Sequence, residues 1–333
     1  MMSDSSAAFK TQVLMTNDSG EAAERTATRG NDGGSMEISW GFDLDKGRRA
    51  AMEDAIAIAP HFLPPVGGWK DGGSSKEEDS PVHYFGLFDG HGGSQVSTYC
   101  SKKFHELLAE EWVRGGGSDN SQNGRWEKAL TRSYERVDDA FKDKTLAPYS
   151  AGSTALIVLL SACQIIVANC GDSRALLCRG SKAIPLTADH KISRPDEYDR
   201  LVKGGARILF LGCPRVEGVL SMTRAIGDHY LKPWVISEPE VTFMSRTEED
   251  ECLILASDGV WDVLSNDDVM KMACSILRRK RRKLALGGIH NAICPAQYVA
   301  NKIRKVASHL SGDNISVIVV DLKHQMKELQ HKG

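Results

Sequence analysis

The chain has 333 residues, with 42 Lys plus Arg against 44 Asp plus Glu and a formal net charge of −2. That length holds a full buried core, in one large domain or two ordinary ones. The near-neutral balance excludes a global basic field for gripping nucleic acid or an anionic membrane, so neither is expected as a partner.

Residues 1–36 are rich in Ser, Thr, Asp, Glu and Gly and read as a disordered arm. The opening MMSDSSAAFK lacks the basic-then-apolar pattern of a secretory signal, so the expectation is a protein retained inside the cell. Two short extended segments between Ile38 and Ile58 flank the turn-rich GRRAAMED, and Pro64 to Pro81 reads as a surface loop. The run VHYFGLFDGHGG predicts a buried strand ending at Asp89. Val96, Tyr99, Cys100, Phe104, Leu107, Leu108 and Trp112 recur at helical spacing over 94–113, and Trp126 to Phe141 repeats the pattern after the loop GGGSDNSQNG.

From Gly152 the pattern changes to short β-rich runs: STALIVLL, CQIIVANC and RALLCRG. The apolar stretch from Ala155 to Ala168 is broken by Ser161 and Gln164 and falls short of the roughly 20 residues of a membrane helix, so it reads as two strands. A helix is predicted from Pro195 to Val202, stopping at Gly204-Gly205. Strands follow near 216–222 and 240–257, then helices Asn266 to Leu277 and Pro295 to Leu310, and a last strand NISVIVVDL. These elements predict an α+β sandwich of two antiparallel sheets flanked by antiparallel helix pairs, in one domain over 37–323 with a short tail at 324–333. The eight cysteines show no C-x-x-C pair and no zinc-finger spacing, and reduced, buried thiols are expected.

Apolar runs repeatedly meet an aspartate: YFGLFDG at Asp89, IIVANCGD at Asp172, CLILASDG at Asp258, and GDNISVIVV with Asp313 just before a run. Strand ends collect on one rim of a sheet, so these carboxylates can converge, and the MED triplet adds Glu53 and Asp54. Carboxylate, carbonyl and water oxygens suit Mg²⁺ or Mn²⁺, whereas no His or Cys pairs favour zinc. Gly90 permits a tight turn and could offer its carbonyl. Taken singly, each Asp-Gly is an ordinary turn; Asp172 also reads as a turn residue paired with Arg174, and Asp262 as the start of a helical lead-in. His91 is a surface turn histidine by default, but beside a metal-activated nucleophile it becomes a general acid. Arg49 is by default a solvated charge, yet its fork can hold two phosphoryl oxygens.

Eight motifs in order carry a family resemblance: R-x-x-M-E-D (Arg49 to Asp54), F-D-G-H-G-G (Phe88 to Gly93), G-S-T (Gly152 to Thr154), N-C-G-D-S-R (Asn169 to Arg174), D-H-K (Asp189 to Lys191), S-M-T-R-A-I-G-D (Ser221 to Asp228), S-D-G-V-W-D (Ser257 to Asp262) and D-N-I-S-V (Asp313 to Val317). Together they resemble the metal-dependent Ser/Thr protein phosphatases of type 2C, the PPM family. The resemblance implies a β-sandwich flanked by helix pairs with two Mg²⁺ or Mn²⁺ ions in a cleft. It implies Asp89 as the bridging ligand, Glu53, Asp258 and Asp313 around one metal, and the Gly90 carbonyl on the other. Asp54 would orient waters, Arg49 bind phosphate and His91 protonate the leaving group, with Asp172 and Asp262 forming a weaker third-metal site. The implied reaction is in-line attack on phosphorus by a hydroxide held between the metals, without a phosphoenzyme.

ANCGDSRALLCRG, YLKPWVISEPEVTFM, ECLILASDGVWDVLS and DNISVIVVDLK further resemble the plant subgroup of abscisic-acid co-receptors. That resemblance implies SNF1-related protein kinases as phosphoprotein substrates and inhibition by hormone-bound receptors. The subgroup's flap tryptophan is absent: between Gly205 and Arg215 the chain reads ARILFLGCP, with Leu211 at the expected offset and Phe210 beside it, and Trp234 lies too far along. Weakened receptor inhibition is therefore expected. The basic run RRKRRK at 278–283 reads either as a solvated helix end or as a nuclear import signal, giving an expectation of nucleus and cytoplasm. A monomer is the default. Two other classes stay open: a catalytically dead kinase-binding module, and a metallohydrolase of small phosphoesters.

Overall fold

Strands that are apolar at every position need cover on both faces. The computed structural model, which describes residues 14–16, 38–63, 81–115, 121–286 and 294–323, provides it. In chain order the elements are β1 (Leu14–Thr16), β2 (Ser39–Asp45), β3 (Ala55–Leu63), β4 (Val82–Phe88), β5 (Gly90–His91), α1 (Gln95–Arg114), α2 (Gln122–Ala140), β6 (Gly152–Ser153), β7 (Ala155–Leu160), β8 (Gln164–Cys170), β9 (Arg174–Arg179) and β10 (Lys182–Pro185). Then come α3 (Pro195–Lys203), β11 (Ile208–Leu211), β12 (Cys213–Val216), β13 (Ile226–Gly227), β14 (Glu240–Ser245), β15 (Asp250–Ala256), α4 (Asp258–Trp261), α5 (Asn266–Ala285), α6 (Pro295–Leu310) and β16 (Ile315–Asp321).

One sheet runs β1-β3-β4-β7-β8-β14 and the other β10-β9-β15-β16-β2, all pairs antiparallel. Alternate residues divide between layers, as the strand period of two requires. Ile56, Ile58, Phe85 and Leu87 meet Leu177, Leu253, Leu255 and Ile318 between the sheets. Their neighbours Ala57, Ala59, Tyr84 and Phe88 face the layer of α1 and α2, where Trp112 and Trp126 stack with ring centroids 3.7 Å apart. On the far side Leu176, Ile254, Val317 and Val319 pack under α5 and α6. The predicted α+β sandwich with flanking helix pairs is therefore the observed fold.

Several boundaries differ. STALIVLL is broken into β6 and β7 at Thr154, whose backbone N–H and hydroxyl are both bonded to Asp89 (2.8 and 3.0 Å). α2 begins before the predicted start because the Ser121 hydroxyl caps it by accepting from the Gly124 N–H. The strand expected near 216–222 lies earlier, as the hairpin β11–β12, because residues 217–222 turn back on Val216. The short β10 and β13 were not foreseen. Within the arm expected to be disordered, Leu14–Thr16 form a strand paired with Ile58 to Ile56 of β3. The rest of that arm, most of the 64–81 loop and the 324–333 tail lie outside the described residues.

The basic run 278–283 does not follow a helix ending at Leu277; it continues α5. Arg281 explains this, donating to both Asp321 oxygens (3.0 and 2.6 Å) and to Glu251 (2.6 Å), while Lys280 lies over the Tyr298 ring. Among the described residues no helix is long and apolar enough to cross a membrane.

Residues 190–235 build a smaller unit beside the sandwich, with Leu201, Val216, Leu220, Met222, Leu231 and Val235 as its core. Buried Glu197 anchors it, accepting from Arg200 (2.7 Å), from Arg224 and from the Thr223 hydroxyl. Burial alone would raise this carboxyl, but those donors, Arg224 foremost, outweigh it and hold the group down at about 2. Its charge therefore contributes stability that is full above the ordinary Glu range and is lost as pH falls through about 2. Glu197→Gln is expected to cost about 1.5–3 kcal/mol at pH 7. In urea unfolding the gap from the parent should close as the pH is taken toward 2.

Candidate metal centre

The register brings the carboxylates to one end. β3 begins just after Glu53 and Asp54, and its first residue Ala55 pairs with Phe88, the last residue of β4 before Asp89. In the second sheet Ala256 pairs with both Val317 and Arg174, so Asp258, Asp313 and Asp172 also lie at one rim. Across the two sheets, Asp89 lies close enough to Asp54, Asp258, Asp172 and Asp313 for all four to push its carboxyl up. All the predicted acidic residues except exposed Asp262 are buried or half-buried.

Backbone and hydroxyl contacts hold the rim in place. The Asn314 amide oxygen accepts from the Glu53 N–H (2.7 Å), while its NH₂ group donates to the carbonyls of Lys46 (2.9 Å) and Ala51 (3.0 Å). The Ser97 hydroxyl donates to the Glu53 carbonyl, against which Gly90 packs so closely that a Cβ on Gly90 would stand 2.3 Å from that oxygen. The Ser316 hydroxyl donates to Asp54 Oδ2 (2.8 Å), and Ser257 adds another bond.

Electrostatically the site is unbalanced. Burial, then the neighbouring carboxylates, raises Asp89 and Asp258 well above the usual range. Burial pushes Asp54 up to about 6. Asp54 Oδ1 and Asp172 Oδ1 are buried with no hydrogen-bond partner. Clustered oxygen donors, mutual repulsion and orphaned buried oxygens are the conditions that a hard divalent cation relieves, so the donor set fits Mg²⁺ or Mn²⁺. Asp89, Asp258, Asp313, Glu53 and the Gly90 carbonyl are the groups that would hold it.

The third pair is differently served. Lys191 reaches Asp262 Oδ1 at 3.0 Å and Asp172 Oδ2 at 3.8 Å, placing an ammonium between them. Arg174 does not pair with Asp172; it binds both oxygens of Asp189 (3.0 and 2.7 Å). A tighter acidic group, Asp196, Glu197 and Glu240, lies at the foot of the smaller unit and is neutralised by Arg194, Arg200 and Arg224.

Arg49 sits exposed in the β2–β3 loop and donates from Nη2 to Asp313 Oδ2 at 2.6 Å, using one of its five donors. His91 Nε2 lies 2.7 Å from Asp228 Oδ2. Burial pulls the imidazole down, but the bond to Asp228 and its charge prevail and the group is raised. Sequence reasoning assigned no role to Asp228, although it closes the S-M-T-R-A-I-G-D motif. β13, β6 and β5 form one small sheet, with Gly152 opposite both His91 and Gly227. A Cβ at Gly152 would lie 2.1 Å from Asp228 Oδ2 and 2.5 Å from His91 Nε2, so the pair closes over a position only glycine fills. Asn314, Ser257 and Ser316 were likewise unassigned, and their only signal was membership of the same motifs.

A family model described as Protein phosphatase 2C matches residues 40–313. "Probable protein phosphatase 2C 6" of Oryza sativa subsp. japonica is 41% identical over 317 residues, covering 86% of this chain and 67% of its own. "Protein phosphatase 2C 7" of Arabidopsis thaliana is 43% identical over 324 residues, and the aligned region covers 86% of this chain but 62% of that relative's length. A crystal structure of serine-threonine phosphatase 2C from Toxoplasma gondii superposes with a TM-score of 0.67 at 20% identity, over 93% of this chain and 99% of that one.

Because ionised Asp89 opposes folding while no cation is bound, Asp89→Asn should melt no lower than the parent in chelator at neutral pH. Mn²⁺ at 100 times its dissociation constant should stabilise the parent by about 2.7 kcal/mol and the variant far less, as read by thermal melts with and without metal.

Proposed function

The chain belongs to the protein phosphatase 2C family, and from that membership we propose that it is a protein phosphatase cleaving phosphoserine and phosphothreonine with Mg²⁺ or Mn²⁺. The observation that carries the reading is the convergence of Asp89, Asp258 and Asp313 on one rim with Arg49 paired to Asp313. Two divalent cations held there would supply Lewis acidity and a nucleophilic water at neutral pH. Asp54, held by the Ser316 hydroxyl with its other oxygen unpartnered, is placed to accept a proton from water. Arg49, exposed at the surface with one donor on Asp313, can turn its planar fork to two oxygens of an arriving phosphoryl group. His91, whose imidazole is raised by its bond to Asp228, donates a proton to the departing Ser or Thr oxygen. Asp172 and Asp262, with Lys191 between them, form the weaker third cation site of this reading.

The finer reading places the enzyme as a negative regulator in plant abscisic-acid signalling, with SNF1-related kinases as substrates and residence in nucleus and cytoplasm. Support comes from the extended identities around ANCGDSRALLCRG and ECLILASDGVWDVLS, and from the basic run 278–283. For import, the contacts of Arg281 with Glu251 and Asp321 hold it half-buried, while Arg278, Arg279, Arg282 and Lys283 are exposed, Arg278 even as it reaches Glu251. The β11–β12 hairpin presents Leu209, Phe210 and Leu211 to solvent, with Phe210 75% and Leu211 62% exposed. That apolar tip suits contact with a receptor, but neither side chain supplies an indole N–H. Trp234 cannot substitute, because its Nε1–H donates to the Gly204 carbonyl at 2.9 Å. Hormone-dependent inhibition is therefore weakened in this reading.

Phosphate release from a phosphothreonine peptide with Mn²⁺ tests the first part: it should vanish in chelator and in Asp89→Asn. Absence of turnover with any metal would leave a binding module, and preference for small phosphoesters would leave a general phosphomonoesterase. His91→Ala should cost about 10²–10⁴-fold in kcat. Asp228→Asn removes what raises His91, so the acid is lost at lower pH and the alkaline limb of kcat should move downward with KM little changed. In a parallel arm, activity should persist with hormone-loaded receptor, and Leu211→Trp should restore inhibition.

A further inference from the structure

Three of the eight cysteines meet away from the carboxylate rim. Cys178 of β9 stands directly opposite Cys252 of β15, so their side chains leave the same face of the sheet. Cys274 comes down onto that face from α5. All three are free thiols, buried to 0%, 0% and 4% exposure, and their sulfurs lie within 4.8 Å of one another. Among the described residues no carboxylate or imidazole joins this group.

Three sulfurs around one ion in a plane, at a metal–sulfur distance near 2.3 Å, stand about 4 Å apart. Separations of no more than 4.8 Å exceed that by less than 1 Å, so drawing the sulfurs in around an ion needs only small shifts. A ligand set of sulfur alone turns away Mg²⁺ and Ca²⁺, and a structural zinc site would need a fourth donor. The chemistry left is that of soft cations content with three thiolates, of which Cu(I) is the physiological member.

We propose that Cys178, Cys252 and Cys274 form a three-coordinate thiolate site for a soft monovalent cation of the Cu(I) class, tying α5 to β9 and β15. Binding displaces one proton from each thiol as three metal–sulfur bonds form. The site is separate in chemistry from the oxygen-lined rim, and it bears on it through two strands. β15 leads directly to Asp258, and β9 starts just after Asp172.

The test uses the full chain, reduced and kept anaerobic, with Mg²⁺ in excess so that the carboxylates are filled. Cu(I) is offered as its bicinchoninate complex, both to folded protein and during refolding. The chain should withdraw one equivalent, melt at higher temperature, and show three sulfur neighbours by X-ray absorption. Cys252→Ala and Cys274→Val should each lose that equivalent, whereas Cys163→Ser, Cys213→Ser and Cys294→Ser combined should keep it. No withdrawal in either arm, an equivalent that survives in the triad variants, or a two-sulfur environment overturns the proposal. Should a triad variant fail to fold, the sulfur count on the unaltered chain decides alone.

Discussion

Like charges held together out of water dominate this molecule. Asp89, Asp258, Asp172 and Asp54 lie at one end of the sandwich, where burial, and after it repulsion from neighbouring carboxylates, raises each of them. Nothing local favours such an arrangement, so it must be imposed by something stiffer. The stiffness comes from strands buried on both faces, whose register cannot slip by one residue without exchanging the inter-sheet and helix-facing layers. A divalent cation turns the same repulsion into ligation, which makes the empty-state strain and the cation affinity two expressions of one geometry.

Proton delivery is built separately. The small sheet β5–β6–β13 brings residues 90–91, 152–153 and 226–227 together and so sets His91 against Asp228 over Gly152. Thr154, next along, breaks the strand run to bond Asp89. One irregularity in an otherwise continuous strand thus couples the cation ligand to the acid, which explains why the break falls where it does.

The sequence made the long elements legible because their periods are strong: α1, α2, α6 and the apolar strands lie close to where hydrophobic spacing puts them. The rim was legible from a different signal, aspartates at the ends of apolar runs, which works because antiparallel register returns strand ends to one place. What spacing could not reveal was polar and tertiary. β10 is a short edge strand without an apolar signature, and the end of α5 is set by Arg281 reaching Asp321 and Glu251 rather than by its own residues. The hairpin β11–β12 was misplaced because its exposed face carries the apolar residues, inverting the rule that apolar means buried. Asp228 and Asn314 stood inside quoted motifs, but their roles depend on partners 137 and 261 residues away.

Foot and tip of the 190–235 unit differ in how they are held. The foot of the 190–235 unit is locked by Glu197 among Arg200, Arg224 and Thr223, while its hairpin tip projects bare apolar side chains. Lys191 leaves the same unit to stand between Asp172 and Asp262, so the unit meets the rim there and not through its tip. Substitution at Phe210 or Leu211, both exposed at that tip, would leave the candidate cation ligands undisturbed. That separation lets the tip vary while the acidic rim keeps its geometry.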